Sequence, residues 1–414
     1  MGERLRNWAG NIEFGAARVH RPRSVKQVQE VVAGAERVRA LGTGHSFNTI
    51  ADTPADLVSV AGLPADIRID ADARTVSVAG GVRYGELARR LDAEGYALHN
   101  LGSLPHISVA GAVATGTHGS GVGLGNLATA ISAVDIVSGG GELVSLRRGD
   151  ADFDGAVVAL GALGLVVRVA LDIQPAYRVS QHVYERLPRA ELDAHWEEIA
   201  SAGYSVSLFT GWHGDTVDQV WIKRRDEDAP APAPAELFGA VPAGGKRHPI
   251  AVMSAEHCTE QGGAPGPWHE RLPHFKLEFT PSSGEELQTE YFVARADAVA
   301  AFAAVEQVRD VVVPALQISE IRTIAADRLW LSPHYERDSV ALHFTWVPND
   351  DLALRAVDAL EEVLAPFAPR PHWGKVFRNA PGYPRGGDFA ALAARLDPAG
   401  TFRNAFVERH VFGA

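Results

Sequence analysis

The chain has 414 residues, 46% hydrophobic and 22% charged, the balance of a globular protein with a sizeable core in two or three domains. Its formal net charge of −12 argues against nucleic acid or an anionic membrane surface as a partner and suits a neutral small-molecule ligand. The single cysteine, Cys258, excludes an internal disulfide and any Cys-x-x-Cys metal or redox site, and it fits a reducing cytoplasm. The start "MGERLRNWAG" has no apolar h-region and no myristoylation signature, and no run of about 18 apolar residues occurs, so neither a secretory signal nor a membrane anchor is expected.

In chain order, residues 24–38 predict an amphipathic helix. Ser24 and Gln27 form a capping-box pair, and Val25, Val28 and Val32 recur at helical spacing. "VRAL" is a short buried strand running into the Gly-rich turn at 42–44. "LVSV" and "TVSVAGGV" are strands, "YGELARRLDAEGY" a helix, and "AVDIVSGGGELVSL" a hairpin turning on its glycines. "FDGAVVALGALG" predicts a helix and "LVVRVALDI" the strand after it. This mixture lacks the regular βαβ cadence of a doubly wound sheet. "SVSLFTGW", "DQVWIKRR", "HFKLEFTP" and "TEYFVARA" then predict an antiparallel sheet, interrupted by a Pro/Ala/Gly-rich excursion at 226–247. "DAVAAFAAVEQVRDVVVPAL" and "DLALRAVDALEEVLAPF" predict helices around the strand "SVALHFTWV".

Three Gly-rich stretches offer backbone N–H groups to a ligand: "GTGHSF" (42–47), "SVAGAVATGTHGSG" (108–121) and "GALG" (161–164). Each alone also reads as a tight turn, and His45 alone reads as a packed or capping histidine. No dinucleotide fingerprint is present, which disfavours a nicotinamide cofactor. Two separated small-residue loops suit a long, extended dinucleotide.

Polar residues also fall at strand spacing. Glu320 and Arg322 share a face of "SEIRTI", His343 and Thr345 share a face of "ALHFTWV", and His372 and Lys375 flank Trp-Gly in "PHWGKVF". They would line a polar pocket or a solvated face with surface ion pairs. No HExxH zinc motif or GxSxG nucleophile elbow occurs. His106, His118, His213, His269 and His274 read individually as structural.

Together, "GTGHSFN", "GSLPHISVAGAVATGTHGSG", "GPWHERLPHF", "EFTPSSG", "EIRT", "HFTWV", "RPHWGKVF" and "LDPAGTFRNAF" resemble the vanillyl-alcohol-oxidase superfamily, and within it the alditol oxidases. The aldonolactone oxidases share the broader pattern and are the near alternative. A flavin-free carbohydrate-binding protein on the same scaffold is a third. The resemblance implies an α+β, two-domain covalent-flavoprotein fold. In it, an FAD-binding domain of two α/β subdomains (1–175) joins a substrate domain with a large antiparallel sheet flanked by helices (176–370). The C-terminal segment (371–414) returns to the FAD-binding domain and completes the active site.

By the same resemblance, His45 is the covalent attachment point of FAD. Leu41, Gly42, Thr43, Gly44, Ser46, Phe47, Ser103, Ser108, Gly111, Thr115, Gly116, Thr117, His118, Gly164 and Val166 form the rest of the flavin site. Ser103, Glu320, Arg322, Thr345 and Lys375 bind the polyol. Arg322, Lys375 and His343 are the catalytic candidates, with the base left open between Lys375 and His343. Gly102 would leave oxygen access. No metal is implied, and a cytoplasmic monomer acting on a polyol and O2 is expected.

Overall fold

The computed structural model describes residues 5–228, 232–278 and 286–413. Residues 279–284 of "EFTPSSG" and residues 229–231 of the Pro/Ala-rich excursion therefore lie outside the described residues. Near the N-terminus, strands Arg18–His20, Asp56–Ser59 and Val38–Leu41 form a parallel sheet in that order. Helix Val25–Ala33 lies between the first and last of these in sequence. Ser24 Oγ accepts from Gln27 N at 3.2 Å, and Gln27 Oε1 accepts from Arg23 N at 2.7 Å. The helix stops at Ala33 rather than running to 38, because Gly34 caps it and residue 38 already belongs to a strand.

A second sheet, antiparallel throughout, runs Ile67–Asp70, Thr75–Ala79, Leu165–Asp172, Ile131–Val137, Leu143–Arg147. The helix expected over 153–164 survives only as Phe153–Ala156. Leu160 (φ +54°) and Gly161 (φ +65°) take left-handed conformations that end helical continuation, and the chain becomes a loop against the main cavity.

Among the described residues the largest sheet has nine strands. Its order is Val241–Pro242, Arg178–Pro188, Thr216–Arg225, Ser205–Thr210, Leu316–Ile324, Ser339–Trp346, Leu287–Ala294, Arg370–Pro371, with Gly266–Pro267 added beside Arg178–Pro188. The eleven-residue Arg178–Pro188 strand was not anticipated from its mixed polar sequence. Conversely, the described part of "HFKLEFTP" forms no strand; Phe275 makes a single bridge to Cys258. The helix expected over 297–316 breaks into Ala298–Gln307, Arg309–Val312 and a 3₁₀ turn at Val313–Ala315, where Pro314 cannot continue an α-helix.

The alternation of side chains gives this sheet two unlike faces. Leu208, Tyr291, Ile321, Leu342 and Phe344 pack on Phe302, Val305, Ala356 and Leu360 of the covering helices. The opposite face carries Gln288, Glu290, Glu320, Arg322, His343 and Thr345 toward the cavity. Beyond the sheet, helix Gly386–Leu396 leads into a tail that lies against the first sheet. Val38 N donates to Thr401 O at 2.8 Å, and Asn404 Nδ2 reaches the carbonyls of Thr49, Ile50 and Asp52. No helix among the described residues is long and apolar enough to cross a membrane.

Candidate active site

A cavity of about 980 Å³ lies between the loops of the two smaller sheets and the polar face of the large one. On the loop side, Trp8 stacks on the His45 ring, with centroids 5.2 Å apart and planes 15° apart. His45 Nδ1 lies 3.0 Å from Thr43 Oγ1. The loop is pinned from two directions. Trp8 N donates to Gly44 O and Asn7 Nδ2 to Ser46 O, while Asn48 Nδ2 donates to the carbonyls of Trp373 and Lys375. Burial, aided by the nearby Lys375 charge, lowers the imidazole pKa to about 4, so the ring is neutral at pH 7 with a lone pair available.

The neighbouring wall is made of small residues because nothing larger fits. A Cβ on Gly81 would come within 2.6 Å of Val60 O, and one on Gly80 within 2.6 Å of Val166 O. Gly42 and Gly111 each face the Ser108 hydroxyl, a buried oxygen with no partner of its own. Closely approaching backbone, a Ser hydroxyl awaiting a partner and a cavity of this volume fit a flavin dinucleotide. Leu41, Gly42, Thr43, Gly44, His45, Ser46, Phe47, Ser103, Ser108, Gly111, Thr115, Thr117, His118, Gly164 and Val166 would hold it. Gly116 is different. It does not line the cavity; its left-handed backbone (φ +66°) favours glycine, and a Cβ there would sit 3.2 Å from Pro333 Cδ.

On the sheet side, strand register aligns Glu320, His343 and Glu290 in one row across three strands. Arg322 sits between two carboxylates: its Nη2 donates to Glu290 Oε1 at 2.7 Å, and its Nε is 3.5 Å from Glu320 Oε1. Its Nη1 reaches Ser103 Oγ at 3.3 Å, tying the loop wall to the sheet wall. His118 Nε2 lies 3.2 Å, and His343 Nδ1 3.6 Å, from the Glu290 carboxylate. His343 Nε2 is 3.2 Å from Thr345 Oγ1, and Lys375 Nζ donates to Gln288 Oε1.

Charges in this cluster compensate one another. Burial alone would raise both carboxyls, but His118 and Arg322 hold Glu290, and Arg322 and His274 hold Glu320, well below the usual carboxylate range. Burial pulls Lys375 down to about 8, and it lowers His343 as well, against the opposing pull of Glu290. The surface ion-pair alternative thus fails here: Glu290, Glu320, Arg322, His343 and Thr345 are all buried. Ser103, Glu320, Arg322, His343, Thr345 and Lys375 meet in one space, with Gly102 beside Ser103.

Sequence reasoning missed Gln288 and Glu290, although they repeat the two-residue spacing seen on the neighbouring strands. It also passed over Gly80 and Gly81, read as part of a strand, and Trp8. His274, read as structural, donates from Nε2 to Glu320 Oε1 at 2.8 Å.

A family model described as FAD binding domain matches residues 16–147, and one described as D-arabinono-1,4-lactone oxidase matches residues 287–410. The chain is 51% identical to an alditol oxidase of Streptomyces sp. (strain IKD472), over 98% of this chain and 99% of that one. It is 30% identical to L-gulono-1,4-lactone dehydrogenase of Mycobacterium tuberculosis, over 97% and 98% respectively. Among solved structures, a solvent-stable cholesterol oxidase superposes with a TM-score of 0.78 at 14% identity, covering 98% of this chain and 96% of that one, a likeness of fold. With a near-complete alignment at half identity added to a small-residue loop wall and a charged sheet wall, the chain belongs to the alditol oxidase family of FAD-dependent flavoproteins, in the vanillyl-alcohol-oxidase superfamily.

Proposed function

We propose that this chain oxidises the terminal primary hydroxyl of alditols of the xylitol, sorbitol or glycerol type to the aldose, using FAD and O2 and releasing hydrogen peroxide. The observation that carries this reading is the charge-compensated face of buried Glu290, Glu320, Arg322, His343 and Thr345, with half-buried Gln288, beside the small-residue loop wall. An alditol is neutral and bears a hydroxyl on every carbon. Each hydroxyl buried without a partner costs about 1–3 kcal/mol, so its site needs donors and acceptors in fixed places. Glu320 accepts, Arg322 and Lys375 donate, and Ser103 and Thr345 do either.

FAD, when bound, accepts hydride from the substrate carbon and passes the electrons to O2. The chain itself must take the hydroxyl proton. His343 is suited to this because its ring is neutral, and Glu290 behind Nδ1 would steady the imidazolium that forms. Arg322 and Lys375 supply positive charge where the alkoxide develops. We further infer that His45 carries the flavin covalently through its neutral imidazole. Its stacking on Trp8 and the pinned loop fix the ring in one orientation.

Gly102 is our candidate for oxygen access. A Cβ there meets its nearest neighbour, His118 O, at an ordinary 3.7 Å, so the backbone would tolerate a side chain that fills the adjoining space. Gly102→Val should slow flavin reoxidation while leaving anaerobic reduction by xylitol nearly intact; equal slowing of both half-reactions would refute the assignment. Its single cysteine fits a reducing compartment, and we also read the protein as cytoplasmic.

The lactone-oxidase match over 287–410 favours one other reading, an aldonolactone oxidase or dehydrogenase. A panel of xylitol, sorbitol and glycerol against L-gulono-1,4-lactone and D-arabinono-1,4-lactone, followed by oxygen uptake and peroxide release, separates the two. Polyols should give one peroxide per O2 at much higher kcat/KM. Faster turnover of the lactones would overturn the alditol assignment.

A further inference from the structure

The mechanism above leaves one buried charge without a task. Lys223 is 1% exposed on the cavity-side face of strand Thr216–Arg225, and its ammonium meets no carboxylate directly among the described residues. Instead it donates to Leu272 O and lies 3.5 Å from Pro273 O and 3.2 Å from His274 Nδ1. An isolated buried cation is costly, and burial lowers this amine to about 7, against the opposing pull of Glu320. Through His274 the contacts continue to Glu320 Oε1 at 2.8 Å and from Glu320 to Arg322.

The chemistry of the groups fixes the direction of this chain. Glu320 is ionised and accepts only, so the neutral His274 ring must donate to it from Nε2 and present its Nδ1 lone pair to an N–H of Lys223. The ring proton then sits on Nε2 and donates to Glu320 Oε1. That oxygen accepts from His274 and faces Arg322 Nε at 3.5 Å, which leaves the second carboxylate oxygen for a substrate hydroxyl. The ring has little freedom to leave this arrangement. Phe209 and Trp221 stand edge-on to it at 5.4 and 5.3 Å, and Thr259 N donates to His274 O. His274 N in turn donates to Ser103 O, so the same residue braces both walls of the cavity. Burial and the Lys223 charge lower the His274 ring to about 4, in keeping with a neutral imidazole.

We propose that Lys223 and His274 are positioning residues: Lys223 locks His274 as its Nε2–H tautomer, and His274 thereby aims the Glu320 carboxylate at a hydroxyl of the bound polyol. The functional half of this proposal rests on the alditol reading; the tautomer half does not. Two measurements on the FAD-loaded full chain test them separately.

The first is ¹⁵N NMR of histidine-labelled protein, with His274→Gln for assignment. The expected spectrum has a lone-pair-type Nδ1 and a protonated Nε2 for His274, and Lys223→Met should turn it into a mixture of tautomers. A protonated Nδ1 in the wild type, or an unchanged ring in Lys223→Met, would overturn the lock. The second is xylitol kinetics. His274→Phe should raise KM about tenfold, the loss of one hydrogen bond to a charged group, with a smaller change in kcat and unchanged flavin content. His274→Gln, which keeps a donor near the Nε2 position, should recover most of that loss. Equal KM values for the Phe and Gln variants would overturn the aiming role. If the wild type turned over lactones but not xylitol, the alditol reading would fail and the NMR result would still decide the lock.

Discussion

The two walls of the cavity are built on opposite plans. The loop wall recognises with backbone: Gly42, Gly80, Gly81 and Gly111 leave room, and the directional groups are few. The sheet wall recognises with long charged side chains that hold one another in place, Arg322 between Glu290 and Glu320. The first plan tolerates no added atom at Gly80 or Gly81, and the second tolerates no lost charge. A ligand with one fixed shape suits the former, and a flexible chain of hydroxyls requires the latter.

The sharpest way to break the sheet wall is Arg322→Met. It leaves two buried carboxylates without their shared cation, a change worth about 3–5 kcal/mol for a buried pair. Anaerobic flavin reduction by xylitol should fall by about 10²–10³-fold while bound flavin is retained. The corresponding insult to the loop wall is Gly81→Ala, whose Cβ meets the Val60 carbonyl. Overpacking of this kind costs about 1–3 kcal/mol and should appear as a lower flavin-to-protein absorbance ratio, with turnover per bound flavin little changed. If Arg322→Met lost flavin and Gly81→Ala lost chemistry, the division between the walls would be wrong.

His45→Ala tests the loop wall's one reactive side chain. Flavin that stays in an acid-precipitated wild-type pellet should move to the supernatant, and turnover should drop by about tenfold as the ring's redox potential falls. Yellow supernatant from the wild type would sink the covalent assignment. The smallest expected effect is on pH. His343 can accept a proton only when neutral, so kcat/KM should fall on the acid side, below the ordinary histidine value of 6.5. Lys375 stabilises negative charge only when protonated, so kcat/KM should fall again above about 8. Lys375→Arg should move the alkaline limb upward; an unmoved limb would assign it to another group.

Much of the sheet wall was legible in the sequence, because strand alternation is a local property. Glu320 with Arg322 and His343 with Thr345 announce one face at a spacing of two. Glu290 carries the same signal inside "TEYFVARA" and Gln288 lies just before it; both are obscured because that run reads first as a cluster of β-formers. Lys223, His274 and Trp8 were not legible: their partners lie 51, 46 and 37 positions away, and no local pattern records such contacts. The helix expected at 153–164 failed for a related reason. Its Ala and Leu content favours helix, but left-handed turns at Leu160 and Gly161 and packing against the cavity override that preference.

Asn48, three residues beyond His45, is tied to backbone 325 and 327 positions further along the chain. Closing so large a loop is slow compared with forming local turns. During synthesis, therefore, the histidine loop stays unfinished until residues 373–375 have emerged and docked. A growing chain cannot present the assembled flavin pocket early, and a chain cut short before Trp373 never does. Yellow colour would then report that translation had passed that point.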